Sequence, residues 1–268
     1  MHMNKYLCRL LITSLVLSIV FGLYALNYAE VSGYHNIEGL FLLVFGGIYR
    51  SESISVVQLL LFCVPQLMLV LLLAGYMYED FRICSVYVFT RKYSRRKWFF
   101  GKSMHLLLYT AVFMLIQFMV LYLFCVLSGL TPVFERGLLL IVVWEYVALL
   151  LLNFFFILVA NLLVLRLATN IGLLCTYVLY LVLCTTAFIG ASAPGMLIAK
   201  ANPIANAMLV WHDHDILVKF YSDHIFGFIE DFRLSFSTIY HICLDILLLI
   251  AGLIAINNAD VINFEKEA

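Results

Sequence analysis

The chain has 268 residues, of which 65% are hydrophobic and only 12% charged, with a mean hydropathy of +1.05. A water-facing surface needs about 25% charged residues, so a soluble globular domain is excluded and the chain belongs in a bilayer. Sixteen basic and sixteen acidic residues leave no net charge, and no global field points to nucleic acid or to polyanions.

A helix needs ~20 mainly apolar residues to cross ~30 Å of hydrocarbon. Six stretches meet that requirement, at about 8–26, 54–77, 103–128, 138–165, 171–192 and 238–257. The expected fold is therefore all-α and integral to the membrane, a single domain over 1–268. The first stretch follows Lys5 and Arg9, but its apolar run is longer than a signal peptide's and no A-x-A site follows, so it reads as an uncleaved span. Between spans one and two, Leu40 to Phe45 is too short to cross and is expected to lie in the interface or to dip into the membrane.

Between spans two and three lies Tyr78 to Lys102. Glu79 and Asp80 open it, where negative charge suits a helix N-terminus. Phe81, Cys84, Ser85, Val88 and Phe89 then fall on one face of a short interfacial helix. Arg91, Lys92, Arg95, Arg96 and Lys97 follow, Ser94 is a candidate N-cap for the third span, and Trp98 stands where interfacial aromatics are favoured. Such charges can also serve only to set topology and bind anionic lipid. Counting Lys and Arg puts eleven on the side of the termini and five on the other, which orients both termini to the cytoplasm.

Within spans four and six, Glu145 and the pair His241 and Asp245 are ionisable groups at a depth where such groups face a bundle interior or a cavity. Glu145 reads either as an interfacial residue beside Trp144 and Tyr146 or as part of a polar path. His241 and Asp245 read either as a structural pair or as lining of the same path. Gln66, Gln117, Asn153 and Asn161 suit interhelical hydrogen bonds. The long segment 193–237 is too apolar for a solvated loop and is broken by Pro194 and Pro203, so a re-entrant pair of short helices is expected there. Trp211 to Asp215 reads as a solvated loop end. The seven cysteines show neither CxxC nor zinc spacing, and no metal site is expected.

Glu79, a short amphipathic helix, Thr90-Arg91-x-x-Ser94-Arg95-x-Lys97-Trp98 and Gly101-Lys102 together resemble the cytoplasmic loop of ABC type-2 transporter permeases. Six spans with both ends inside and Asn202-Pro203-Ile204 in an extended loop between spans five and six are similar to that family too. Lys92-Tyr93 stands where the family commonly has a proline. The resemblance implies the transmembrane subunit of an ABC exporter in a bacterial plasma membrane. Phe81 to Phe89, including Val88, would be its coupling helix, with Glu79, Arg91 and Arg95 orienting it against an ABC ATPase. It further implies a second permease subunit, alike or different, and a cargo such as an antimicrobial or amphipathic peptide or a lipid-like molecule.

No GxxxxGK[ST] motif occurs, so ATP and Mg are expected on the partner ATPase, with no cofactor and no enzymatic activity in this chain. Membrane lipid is an expected partner and nucleic acid is not. The competing expectation is an immunity or binding protein of the membrane that acts without ATP. A secondary transporter is disfavoured by the lack of internal repeat symmetry.

Overall fold

The computed structural model describes residues 2–32, 36–49, 56–81, 94–190, 196–217 and 228–257, and these are folded almost entirely as helices. The six spans are Tyr6–Tyr28, Val56–Phe81, Arg95–Leu127, Glu135–Arg166, Thr169–Gly190 and Leu234–Ile256. The helices carrying them are labelled α1 (His2–Ser32), α3 (Val56–Leu73), α4 (Arg95–Leu127), α5 (Glu135–Arg166), α6 (Thr169–Gly190) and α9 (Leu234–Asn257). Between them lie α2 (Ile37–Val44), α7 (Met196–Lys200) and α8 (Pro203–Ala207).

Each span appears where the apolar run predicts it, but the third begins at Arg95, well before 103. Hydropathy marks only the part of a helix that lies in hydrocarbon. At 33 residues α4 is ~50 Å long, so its basic first turns project past that layer. Ser94 occupies the N-cap position without making a side-chain cap bond.

Span four is central: 56% of its most apolar window is buried, against 28% for spans one and five and 22% for span six. The outward faces of those three are rows of bare aliphatic side chains, such as Ile12, Val16 and Val20 on α1 and Ile239, Ile246 and Ile250 on α9. Such faces are at ease only in acyl chains.

Two short segments fill one end of the bundle. All eight residues of α2 are buried, so Leu40 to Phe45 dips among the spans. Asn36 caps α2 by accepting from Gly39 N at 2.7 Å. Buried Glu38 accepts from Val133 N (3.2 Å) and Phe134 N (3.0 Å), the backbone donors just ahead of α5. The second segment, 196–217, interlocks with the first. Val210 N donates to Gly46 O at 3.0 Å, and the fully buried Trp211 donates from Nε1 to Ile48 O at 2.7 Å. Gly47 sits between them at φ +108°, where an added Cβ would stand 2.7 Å from Met208 Cβ, so both its conformation and its neighbour require glycine. Asn202 caps α8 by accepting from Ile204 N and Ala205 N, while its Nδ2 donates to Leu183 O and Thr186 Oγ1 on α6. Buried Trp211 and His212 correct the expectation of a solvated loop end for those two residues, while Asp213 and Asp215 are exposed as expected.

Span two is interrupted after Leu73 by a turn at 74–75 and resumes to Phe81. In an unbroken helix Met77 N would donate to Leu73 O. Here the Asn161 amide of α5 is spliced between them, its Nδ2 donating to Leu73 O (2.9 Å) and its Oδ1 accepting from Met77 N (2.9 Å). A third bond, Nδ2 to Ile157 O at 2.8 Å, fixes the amide on its own helix.

Asn161→Leu leaves Leu73 O and Met77 N without partners for as long as the packed bundle holds the turn at 74–75 open, and is expected to destabilise the protein by about 2–5 kcal/mol. Asn153 donates only to Leu149 O on its own helix and to Met114 Sδ, so Asn153→Leu is expected to cost less than about 1 kcal/mol. Unfolding midpoints of the two variants in detergent test the difference; equal losses would refute the spliced role.

Candidate functional site

Three places concentrate polar chemistry. The first is the basic end, where spans two and three meet. Asp80 accepts from Trp98 Nε1 at 2.8 Å and pairs with Lys102 Nζ at 2.8 Å. Phe81, 3% exposed, packs edge-on against the Trp98 ring at 5.6 Å. Lys102 also stands over the Tyr76 ring, and Tyr76 meets Tyr109 edge-on. Glu79 is exposed. Arg95 is half-buried at the start of α4.

The clamp thus turns on Asp80, which sequence reasoning placed only at a helix start. Phe81 faces into the bundle. Val88, Phe89 and Arg91 lie outside the described residues. The Asp80 to Lys102 spacing across the loop was the missed signal: an acid followed by Phe81 and a base after Trp98-Phe99-Phe100 bracket the segment. An ion pair whose members are 22% and 28% exposed couples only weakly. A double-mutant cycle with Asp80→Asn and Lys102→Met is expected to give about 0.2–1 kcal/mol of coupling. A value above that range would mean the pair is far less hydrated than its exposure implies.

The second place is the interior of spans four and six. Glu145 is 1% exposed and lies ten residues into α5, packed inside the bundle. Asp245 is buried as well, and neither carboxylate has a hydrogen-bond partner among the described residues. The two therefore do not bond to each other or to His241. His241 is engaged elsewhere, its Nδ1 at 3.0 Å from Ser237 O and its Nε2 at 3.0 Å from Pro203 O. That second contact ties span six to the start of α8. Tyr240 adds a hydrogen bond to Ala201 O from the same helix turn. Of the other predicted polar links, Gln66 accepts from Tyr180, and neither amide atom of Gln117 has a partner among the described residues.

The third place adjoins it. His212, just past the 3₁₀ turn Leu209–Trp211, has Nδ1 3.0 Å from Met208 O and Nε2 2.7 Å from Ser237 Oγ. A neutral ring satisfies both contacts by donating from Nδ1 and accepting the Ser237 hydroxyl proton at Nε2. Phe232 stacks on the ring at 4.3 Å. His212, Ser237, His241 and Asn206 line a cavity of about 10 Å³, close to the minimum for one water. Asn206 Oδ1 has no hydrogen-bond partner among the described residues. His214 turns away and accepts from Ile216 N, so the two imidazoles do not converge. Among the described residues no three His, Cys, Asp or Glu side chains gather as a metal would need.

Burial pushes the His212 imidazole down from 6.5 to about 4, against its hydrogen bonds to Met208 and Leu209 and helped by His241. A depressed histidine contributes stability above its unfolded value and loses it as pH falls toward the folded one. His212 alone is therefore expected to contribute a loss of about 2 kcal/mol between pH 7 and pH 5. His212→Asn should flatten that dependence in detergent melts; an unchanged slope would assign it to other groups.

No curated protein and no solved structure matches the chain. A family model does match, over residues 5–262, so that the chain belongs to the DUF2705 family, described as a protein of unknown function.

Proposed function

We propose that the protein is the membrane subunit of an ATP-driven exporter, resident in a bacterial plasma membrane with both termini in the cytoplasm. It pairs with a second permease subunit and with a separate ABC ATPase, and its cargo is amphipathic. In this reading the segment that follows Phe81 forms a coupling helix that receives the closure of the ATPase. The short helices α7 and α8 are re-entrant elements on the outer side.

The observation that carries the reading is the clamp of Asp80, Trp98 and Lys102. It fixes the two ends of the basic segment to each other, so a push on that segment moves spans two and three as a unit. The break at Ala74–Gly75, with Asn161 spliced in, gives span two a point at which such a push can be taken up. Buried, unpartnered Glu145 and Asp245 supply polar groups inside the bundle that a rearranged state could expose.

Purification of the full chain from its native membrane in mild detergent tests the reading. An ATPase carrying a Walker motif is expected to accompany the wild type and to be depleted at least tenfold with Phe89→Asp, while the variant itself elutes unchanged. If no ATPase accompanies the wild type, the basic segment is a topology signal and the ATP-independent immunity reading takes precedence.

A further inference from the structure

Between α4 and α5, at the end of the bundle that holds α2, lies an apolar groove of about 500 Å³. Its volume falls in the range of ~300–1,000 Å³ typical of sites for small ligands. Phe41, Phe118 and Tyr146 form its floor. These rings brace one another, with Phe118 edge-on to Phe41 at 5.7 Å and to Tyr146 at 5.7 Å and stacked on Phe45 at 4.1 Å. The Tyr146 hydroxyl is committed to Ala111 O at 3.0 Å, which holds that ring in place. The floor is thus preformed, and an occupant need not order it.

The walls belong to the membrane face of the bundle. Met119, Leu139 and Val143 line the groove and are more than half exposed, so it opens sideways where acyl chains lie. The charged residue in its lining is Glu135, exposed at the first turn of α5. Among the described residues Glu135 has no cation within salt-bridge distance, and Arg136 does not line the groove. A helix start accounts for an acid at 135. It does not account for a preformed, ligand-sized apolar trough leading up to that acid.

We infer that this groove binds a small amphiphile with one apolar chain and a cationic, amine-bearing end. The chain lies on the aromatic floor and the ammonium meets Glu135 at the mouth. Charge complementarity selects the head and the trough selects the tail. An anionic head is repelled by the unpaired carboxylate, and a neutral head gains only the tail contacts. The inference is independent of ATP coupling, because binding is a property of this chain alone.

The test uses the purified full chain in phosphatidylcholine nanodiscs. Three photoreactive probes share one twelve-carbon chain bearing a diazirine and differ in the head: amine, hydroxyl or carboxylate. The amine probe is expected to label residues 115–146 most strongly, saturably, and in competition with unlabelled dodecylamine. Glu135→Gln should lower amine labelling about fivefold, the upper worth of a partly exposed ion pair, and leave hydroxyl labelling unchanged. Met119→Trp, at a lipid-exposed position that the fold tolerates, should block the groove for all three probes, with Val142→Trp as a second block. Equal labelling by the three heads, or labelling insensitive to both Glu135→Gln and the tryptophan variants, would overturn the inference in favour of ordinary lipid contact. Competition by a cationic peptide but not by dodecylamine would overturn it as well.

Discussion

In the apolar interior of a membrane bundle, every backbone donor and acceptor has to find a protein partner, and this fold is organised around the places where its backbone leaves the helix. The most consequential is span two, where the Asn161 side chain replaces a backbone bond with two of its own. The same rule explains Asn202 at the start of α8, Glu38 beneath the start of α5 and Trp211 on Ile48 O. Each of these side chains stands in for water at a helix end or turn. Remove them and the short elements become exposed backbone in hydrocarbon, which costs several kcal/mol per group.

These ties also explain why span four is the hub. α5 supplies Asn161 to span two, receives Glu38 ahead of its first turn, and lends Tyr146 to the aromatic cluster around Phe118. Its burial follows from that traffic. The less buried helices, α1, α6 and α9, form the lipid-facing rim, although α6 and α9 are tied to the short elements by Asn202 and His241.

Much of this was legible in the sequence because hydropathy reports transfer into lipid directly. The six spans, the dip at Leu40 to Phe45 and the interhelical role of Asn161 all follow from residue type and run length. What hydropathy cannot report is pairing. Trp211 and His212 sit among acids and look solvated, yet the indole N–H finds Ile48 O and the imidazole finds Ser237, so both are buried. Asp80 and Glu79 are indistinguishable as neighbours in sequence. Only the helical register decides that Asp80 reaches Trp98 and Lys102, while Glu79 stays exposed. Glu145 and Asp245 stood out in the sequence as acids within apolar runs, with an interfacial reading open for Glu145, and the separation of His241 from Asp245 depends on the α8 carbonyl that claims that ring.

The spliced bond in span two has a consequence for how the chain is made. Asn161 lies 84 residues beyond Met77, so span two leaves the ribosome long before its bracket exists. At ~5–20 residues per second that gap lasts ~4–17 s. During that interval Met77 N and Leu73 O have only each other, so the nascent segment is best off as a straight, continuous helix. The interruption at 74–75 is then expected to form only once span four arrives, by remodelling of a helix that is already inserted.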